Sequence, residues 1–146
     1  MIRPQLAIDT APLISWFERN PRFEPAIAQA LGPVMDGEAL AVVSTLALLE
    51  VLTGAYRRGD EALARRYQDL FSSTEGIAVL PVDAVIATEA ARLRVRHRLS
   101  TADAIHLATA LVAGAPVFLT TDRRLARVKE IDVRVLRPSP PKRMKR

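Results

Sequence analysis

Residues 100–122 read STADAIHLATALVAGAPVFLTTD, and their order decides the fold. Ser100 is a preferred N-cap residue, and Asp103 three positions later makes an S-x-x-D form of the capping box. The Ala-rich run behind it reads as a helix stopped by Gly114. Residues 116–119 (PVFL) then form a short apolar strand, and Asp122 follows it. A capped helix leading through a glycine into a buried strand is one half of a strand–helix–strand unit. Repeats of that unit build a parallel sheet.

The same alternation extends toward the N-terminus. Gln5–Ile8 (QLAI) is a short apolar run that ends at Asp9, with a helix expected over 11–19. A second helix is expected over 24–31, closed by Gly32-Pro33. Residues 40–43 (LAVV) form a strand, and Ser44 caps a helix running to about Arg58. Gly59-Asp60 interrupts it, and another helix covers 61–71. Ile77–Leu80 (IAVL) is a strand, and Asp83 caps a helix to about Arg98. Beyond Asp122, residues 133–136 (VRVL) supply a last strand. Strands of about four to six residues separated by helices predict an α/β domain. Its central sheet is mostly parallel, with about four to five strands flanked by helices. One domain is expected over 1–137. The remainder, 138–146 (PSPPKRMKR), reads as a basic, Pro-rich tail, solvated and disordered.

Composition narrows the chemistry. The chain has 146 residues and no cysteine, which excludes disulfides and thiolate metal sites. Its two histidines, His97 and His106, cannot build a His-rich zinc site. A metal here would need oxygen ligands. No apolar run is long enough to span a membrane, and the N-terminal apolar run is too short for a signal peptide. The formal charge of +5 favours an anionic partner, nucleic acid or an acidic protein, although much of the excess sits in the tail.

Ligands of open α/β sheets bind beyond the carboxyl ends of the strands. Asp9 ends the first strand and Asp122 the fourth. Asp103 opens a helix that parallel topology brings to the same edge. Each also has a plain structural reading as a cap or turn residue. Glu50 is different, because it lies inside the apolar run LALLEVL. Its helical neighbours are Leu46, Ala47, Thr53 and Gly54, with no cation to pair. A buried carboxylate without a partner shifts its pKa or destabilises the fold. Glu50 therefore either faces water or is met by something cationic. Four acids at one edge repel unless one or two divalent cations lie between them, and carboxylates alone suit Mg²⁺ or Mn²⁺. Thr10, Ser44, Thr101, Thr120 and Thr121 supply hydroxyls around them, as turn and cap residues or as groups that orient ligands.

The segments AIDTAPLI (7–14), STLALLEVL (44–52), STADAIHLATAL (100–111) and VFLTTDRRL (117–125) resemble the four acidic motifs of the PIN-domain ribonucleases. A single small domain of this kind is most similar to the VapC-type toxins of toxin–antitoxin pairs. The resemblance covers about 1–136. It implies that Asp9, Glu50, Asp103 and Asp122 are catalytic metal ligands, with Thr10 and Thr120 supporting them. Thr121 stands where the family commonly has Asn. The implied cofactor is Mg²⁺ (or Mn²⁺) and the implied substrate is RNA. The implied assembly is a cytoplasmic homodimer checked by a VapB-type antitoxin. Asp103 is then expected both to cap its helix through its backbone and to bind metal through its carboxylate. A non-toxin RNA-maturation nuclease and an inactive PIN module that binds RNA or protein stay open as alternatives.

Other features have bland readings beside functional ones. His106 lies one helical step beyond Asp103 and could face the site, but its plainer reading is as a partly buried side chain or a bystander. Arg92, Arg94, Arg96 and Arg98 read as complements to a helix C-terminus. Arg123 and Arg124, beside Asp122, are better placed to meet RNA phosphates. Trp16 and Phe17 read as part of the core or of a dimer face.

Overall fold

The computed structural model describes residues 3–141. Its strands are β1 (Gln5–Ile8), β2 (Leu40–Ser44), β3 (Ile77–Leu80), β4 (Val117–Thr120) and β5 (Asp132–Val135). They form one five-stranded sheet in the order β3-β2-β1-β4-β5, with every pairing parallel. The helices are α1 (Thr10–Phe17), α2 (Glu24–Met35), α3 (Thr45–Arg57), α4 (Glu61–Ser73), α5 (Ala84–His97) and α6 (Thr101–Ala113). A 3-10 turn, Arg123–Arg127, joins β4 to β5.

Side chains alternate across the sheet and divide the core in two. Ala7, Val42 and Phe118 pack with Ile86, Leu93 and Leu107 of α5 and α6. Ile8, Val43 and Leu119 pack on the other side with Leu13, Ile27 and Leu31 of α1 and α2. Strands covered on both faces are continuous apolar runs, which is why LAVVS and VFLT carry no polar alternation until their last residue. A third cluster joins α3 to α4 around Val51, Leu63 and buried Tyr67. Phe17 belongs to it, with its ring 4.5 Å from that of Tyr67, and Trp16 packs against the α1–α2 side. Both aromatics thus serve the core.

Side-chain caps start five of the six helices: Asp9, Ser44, Asp60, Asp83 and Ser100 each accept from a first-turn N–H. Such caps are each worth about 1 kcal/mol. Gly114 ends α6 at φ 74, a backbone state that glycine adopts without strain. The α2 helix departs from expectation. It runs through Gly32-Pro33 to Met35. Pro33 falls in the last turn, where its missing N–H removes one bond. Burial of Leu31 and Val34 offsets that loss, and the chain turns only at Gly37, at φ 77.

Two arginines, one of them from outside the helix, bond carbonyls at the C-terminal end of α5. Arg94 Nε donates to the Leu99 carbonyl (3.2 Å), and Arg127 Nη2 donates to that of His97 (2.7 Å). From the tail, Ser139 N–H donates to the Arg22 carbonyl (2.6 Å). Residues 142–146 of the expected disordered tail lie outside the described residues.

Candidate active site

The strand order reverses direction between β1 and β4. From β1 the chain builds outward through β2 and β3, then returns to the opposite side of β1 for β4 and β5. This reversal opens a crevice at the carboxyl ends of β1 and β4. Asp9 follows β1 and Asp122 follows β4, so both lie at its rim.

Asp9 is the best-held of the acids. Its Oδ1 accepts from the Thr10 N–H (2.8 Å), and its Oδ2 accepts from the Thr120 hydroxyl (2.8 Å). Thr120 Oγ1 also accepts from the Asp122 N–H at 3.1 Å, so one buried hydroxyl ties the ends of β1 and β4 together. Burial pushes the Asp9 carboxyl above its ordinary value. His106 and the hydrogen bonds from Thr120 and Thr10 pull it back, and the neighbouring charge of Asp103 raises it further.

Asp103 resolves the capping question raised by its position. Ser100 Oγ accepts from the Asp103 N–H (3.1 Å). Among the described residues the return bond from Ser100 N–H to the Asp103 carboxylate is not made. Only half of the capping box forms, and the carboxylate has no hydrogen-bond partner among the described residues. Its charge acts weakly on Asp9 and on Arg124, in keeping with an α6 N-terminus near this edge.

Glu50 is met by a partner from α6. His106 is 4 % exposed, and its Nε2 lies 2.5 Å from Glu50 Oε1. The Thr10 hydroxyl donates to the same Oε1 (2.9 Å). The His106 bond holds the Glu50 carboxyl below the usual range, against the opposing effect of burial, and Thr10 adds to the lowering. The bystander reading of His106 is therefore corrected. A clue lay in Glu50, an acid in an apolar run without a cation at helical spacing, in a chain with only two histidines.

Asp122 reaches the rim but is turned to Arg124. Arg124 Nε donates to Oδ1 (3.1 Å) and Nη2 to Oδ2 (2.9 Å), while the Arg124 N–H adds a third bond to Oδ1 (2.9 Å). This fork keeps the Asp122 carboxyl below its ordinary value. Both arginines are exposed, but Arg124 is engaged, whereas Arg123 has no side-chain ion pair among the described residues.

The structure therefore brings Asp9, Glu50, Asp103 and Asp122 to one edge, with Thr10 and Thr120 between them. It does not close them into a shell: among the described residues no three acidic or imidazole side chains are arranged to hold a metal ion. Glu50 and Asp122 already face cationic or donor groups of the chain. Asp9 and Asp103 are the carboxylates with no ion pair among the described residues. As oxygen donors, one of them desolvated, they suit a hard divalent cation.

Comparison with known proteins agrees with this fold. The family model for the PIN domain matches residues 6–131. No curated protein is similar enough in sequence to count as a match. Among solved structures, VapBC2 from Rickettsia felis bound to a DNA fragment from their promoter gives a TM-score of 0.70 at 13 % identity. That match covers 90 % of this chain and 98 % of the other. A toxin–antitoxin complex from Klebsiella pneumoniae gives 0.65 at 23 % identity, covering 86 % and 94 %. VapC20 from Mycobacterium tuberculosis, described as a sarcin–ricin loop cleaving toxin, gives 0.53 at 19 % identity, covering 77 % and 86 %. At these identities the likeness to solved structures shows the fold alone.

Proposed function

The chain belongs to the PIN-domain family, and from that premise we propose that it is a divalent-metal-dependent endoribonuclease, the toxin of a VapC-type toxin–antitoxin pair. The observation that carries the reading is the Asp9–Asp103 pair, one carboxylate desolvated and the other released from its helix cap. Two such acids at one sheet edge need a counter-charge.

Mg²⁺ or Mn²⁺ fits this donor set. Asp9 and Asp103 would hold it, with Glu50 and Asp122 completing the set. Such an ion, when bound, acidifies water and stabilises charge on a phosphodiester. The chain's own side chains do the positioning. Thr120 fixes Oδ2 of Asp9, and Thr10 fixes Oε1 of Glu50. Exposed Arg123, and Arg124 when released from Asp122, offer cations to RNA phosphates that the acids alone would repel.

The partner we propose is a VapB-type antitoxin, as in the Rickettsia complex. Its inhibitory group would be a basic side chain set among the acids. The Arg124–Asp122 fork illustrates how well a guanidinium fits such a carboxylate. We further propose a cytoplasmic homodimer. Val85 and Val112 line one surface groove, and Val85 is 62 % exposed. No helix among the described residues is long and apolar enough to cross a membrane.

The test is RNA cleavage by the purified chain with Mg²⁺ or Mn²⁺, against a chelator control. Metal-dependent cutting supports the nuclease reading. A second reading, a PIN module that binds RNA or protein without cutting, is favoured by the Asp122–Arg124 fork and by the open arrangement of the acids. RNA binding with no cleavage in either metal would establish that reading in place of the first.

A further inference from the structure

His106 is the buried polar side chain at the crevice for which the nuclease reading gives no task, and the inference drawn from it rests on that reading. Its ring is wedged between α6, which carries it, and the side chains of Thr10 and Glu50. Nε2 lies 2.5 Å from Glu50 Oε1 and 3.2 Å from Thr10 Oγ1. Nδ1 is buried and has no partner among the described residues. With Nδ1 unpartnered, the ring's hydrogen bonding is directed to Glu50 and Thr10 alone.

The effect on Glu50 is asymmetric. Oε1 accepts from both His106 and Thr10, whereas Oε2 accepts from nothing among the described residues. Its own helix offers no alternative anchor. Leu46, Ala47 and Gly54 have no side-chain donor, and the Thr53 hydroxyl is spent on the Leu49 carbonyl (2.7 Å). A glutamate side chain is long and rotamer-rich, so an unanchored Glu50 would sweep across the crevice mouth. Anchored at Oε1, it has one oxygen fixed and one available.

We propose that His106 is a positioning residue that fixes Oε1 of Glu50 and thereby keeps Oε2 available to a divalent cation shared with Asp9 and Asp103. It acts from behind Glu50 and touches neither substrate nor cation. Partners of this kind are worth about 10- to 100-fold in metal affinity.

The experiment compares the full chain with His106→Leu, His106→Gln and His106→Asn. Mn²⁺ binding is read from the electron paramagnetic resonance signal of free Mn²⁺, and folding from circular dichroism in chelator. Gln keeps an N–H donor near the position of Nε2, Asn carries one too short to reach, and Leu has none. The expected result is Mn²⁺ affinity lowered about 10- to 100-fold in the Leu and Asn variants and restored to within a few-fold by Gln. Cleavage by the Leu and Asn variants should recover as Mn²⁺ is raised. Equal Mn²⁺ affinity in folded His106→Leu and the unsubstituted chain overturns the inference alone. If the Leu variant does not fold, equal affinities of the Gln and Asn variants overturn it. An unsubstituted chain that neither binds Mn²⁺ nor cuts RNA overturns the nuclease reading, and this inference with it.

Discussion

The chain contains two histidine–glutamate pairs, alike in their atoms and opposite in their surroundings. His97 Nε2 lies 2.8 Å from Glu130 Oε2, and His106 Nε2 lies 2.5 Å from Glu50 Oε1. The first pair sits at the C-terminus of α5, where Arg96 also reaches Glu130 (3.1 Å) and Arg127 covers the His97 carbonyl. Cations predominate there, the helix dipole favours them, and the pair pins α5 to the segment before β5. The second pair sits among Asp9 and Asp103, where carboxylates predominate. The same contact satisfies charge in one region and leaves an excess of negative charge in the other. What separates a staple from a site is the local balance of charge, and the pair geometry alone does not reveal it.

The sharpest way to break this contrast is Asp103→Asn. Cleavage should fall by on the order of 10³, the scale of losing one essential electrostatic group, while the melting temperature changes little. Glu130→Gln should leave the cleavage rate untouched. Wild-type cutting by Asp103→Asn would show that the acid-rich edge is not the site.

Next in size is the response to metal. Only the folded chain gathers these acids, so a divalent cation at 100 times its Kd should stabilise it by about 2.7 kcal/mol. Thermal melts in Mn²⁺ and in chelator measure this. The gain should survive His97→Ala and vanish in Asp9→Asn. An equal gain in both variants would place the metal elsewhere.

Smaller, and opposite in sign, is the effect of Asp9→Asn without metal. Burial raises the Asp9 carboxyl above 3.8, so its folded form holds a proton more tightly than the unfolded chain does. Stability therefore falls as pH rises through that raised value and stays lowered at neutral pH. A neutral Asn avoids the loss, and its metal-free melting temperature at pH 7 should exceed that of the parent chain. A lower value would mean that the bonds from Thr10 and Thr120 outweigh desolvation.

Smallest is the staple. His97 and Arg96 hold the Glu130 carboxyl below its ordinary 4.5. The contribution is present above that value and disappears as pH falls through the lowered one. The pair is partly exposed and worth less than about 1 kcal/mol. Denaturant curves for Glu130→Gln should show a slight loss at pH 7 that fades in acid. A loss that persists at low pH would trace to packing instead.

Much of this was legible in the sequence where the signals were local. Strand ends, caps at Ser44, Asp83 and Ser100, and the stop at Gly114 are set by residues within one turn of each other. The acids after β1 and β4 could be placed because parallel topology fixes which edge they reach. Gly32-Pro33 misled, because a helix tolerates them in its last turn when Leu31 and Val34 have a core to enter, and that core is tertiary. The link from Glu50 to His106 crosses 56 positions. Its sequence signal was an unmatched charge, which says that a partner is needed but not where it lies. The Arg124 fork was missed for another reason. An arginine beside an acid can turn outward to a ligand or inward to its neighbour, and the two choices have the same spacing.

The central place of β1 also fixes when this chain can become competent during its own synthesis. Asp9 leaves the ribosome long before β4 does, and the hydroxyl that holds its Oδ2 belongs to Thr120, 111 positions later. One flank of β1 stays bare until β4 emerges, and pairing across such a distance in sequence is slow. The acids therefore cannot be gathered on a half-made chain. Translation itself imposes the delay, and a nascent fragment that stops short of β4 lacks the hydroxyl that anchors Asp9.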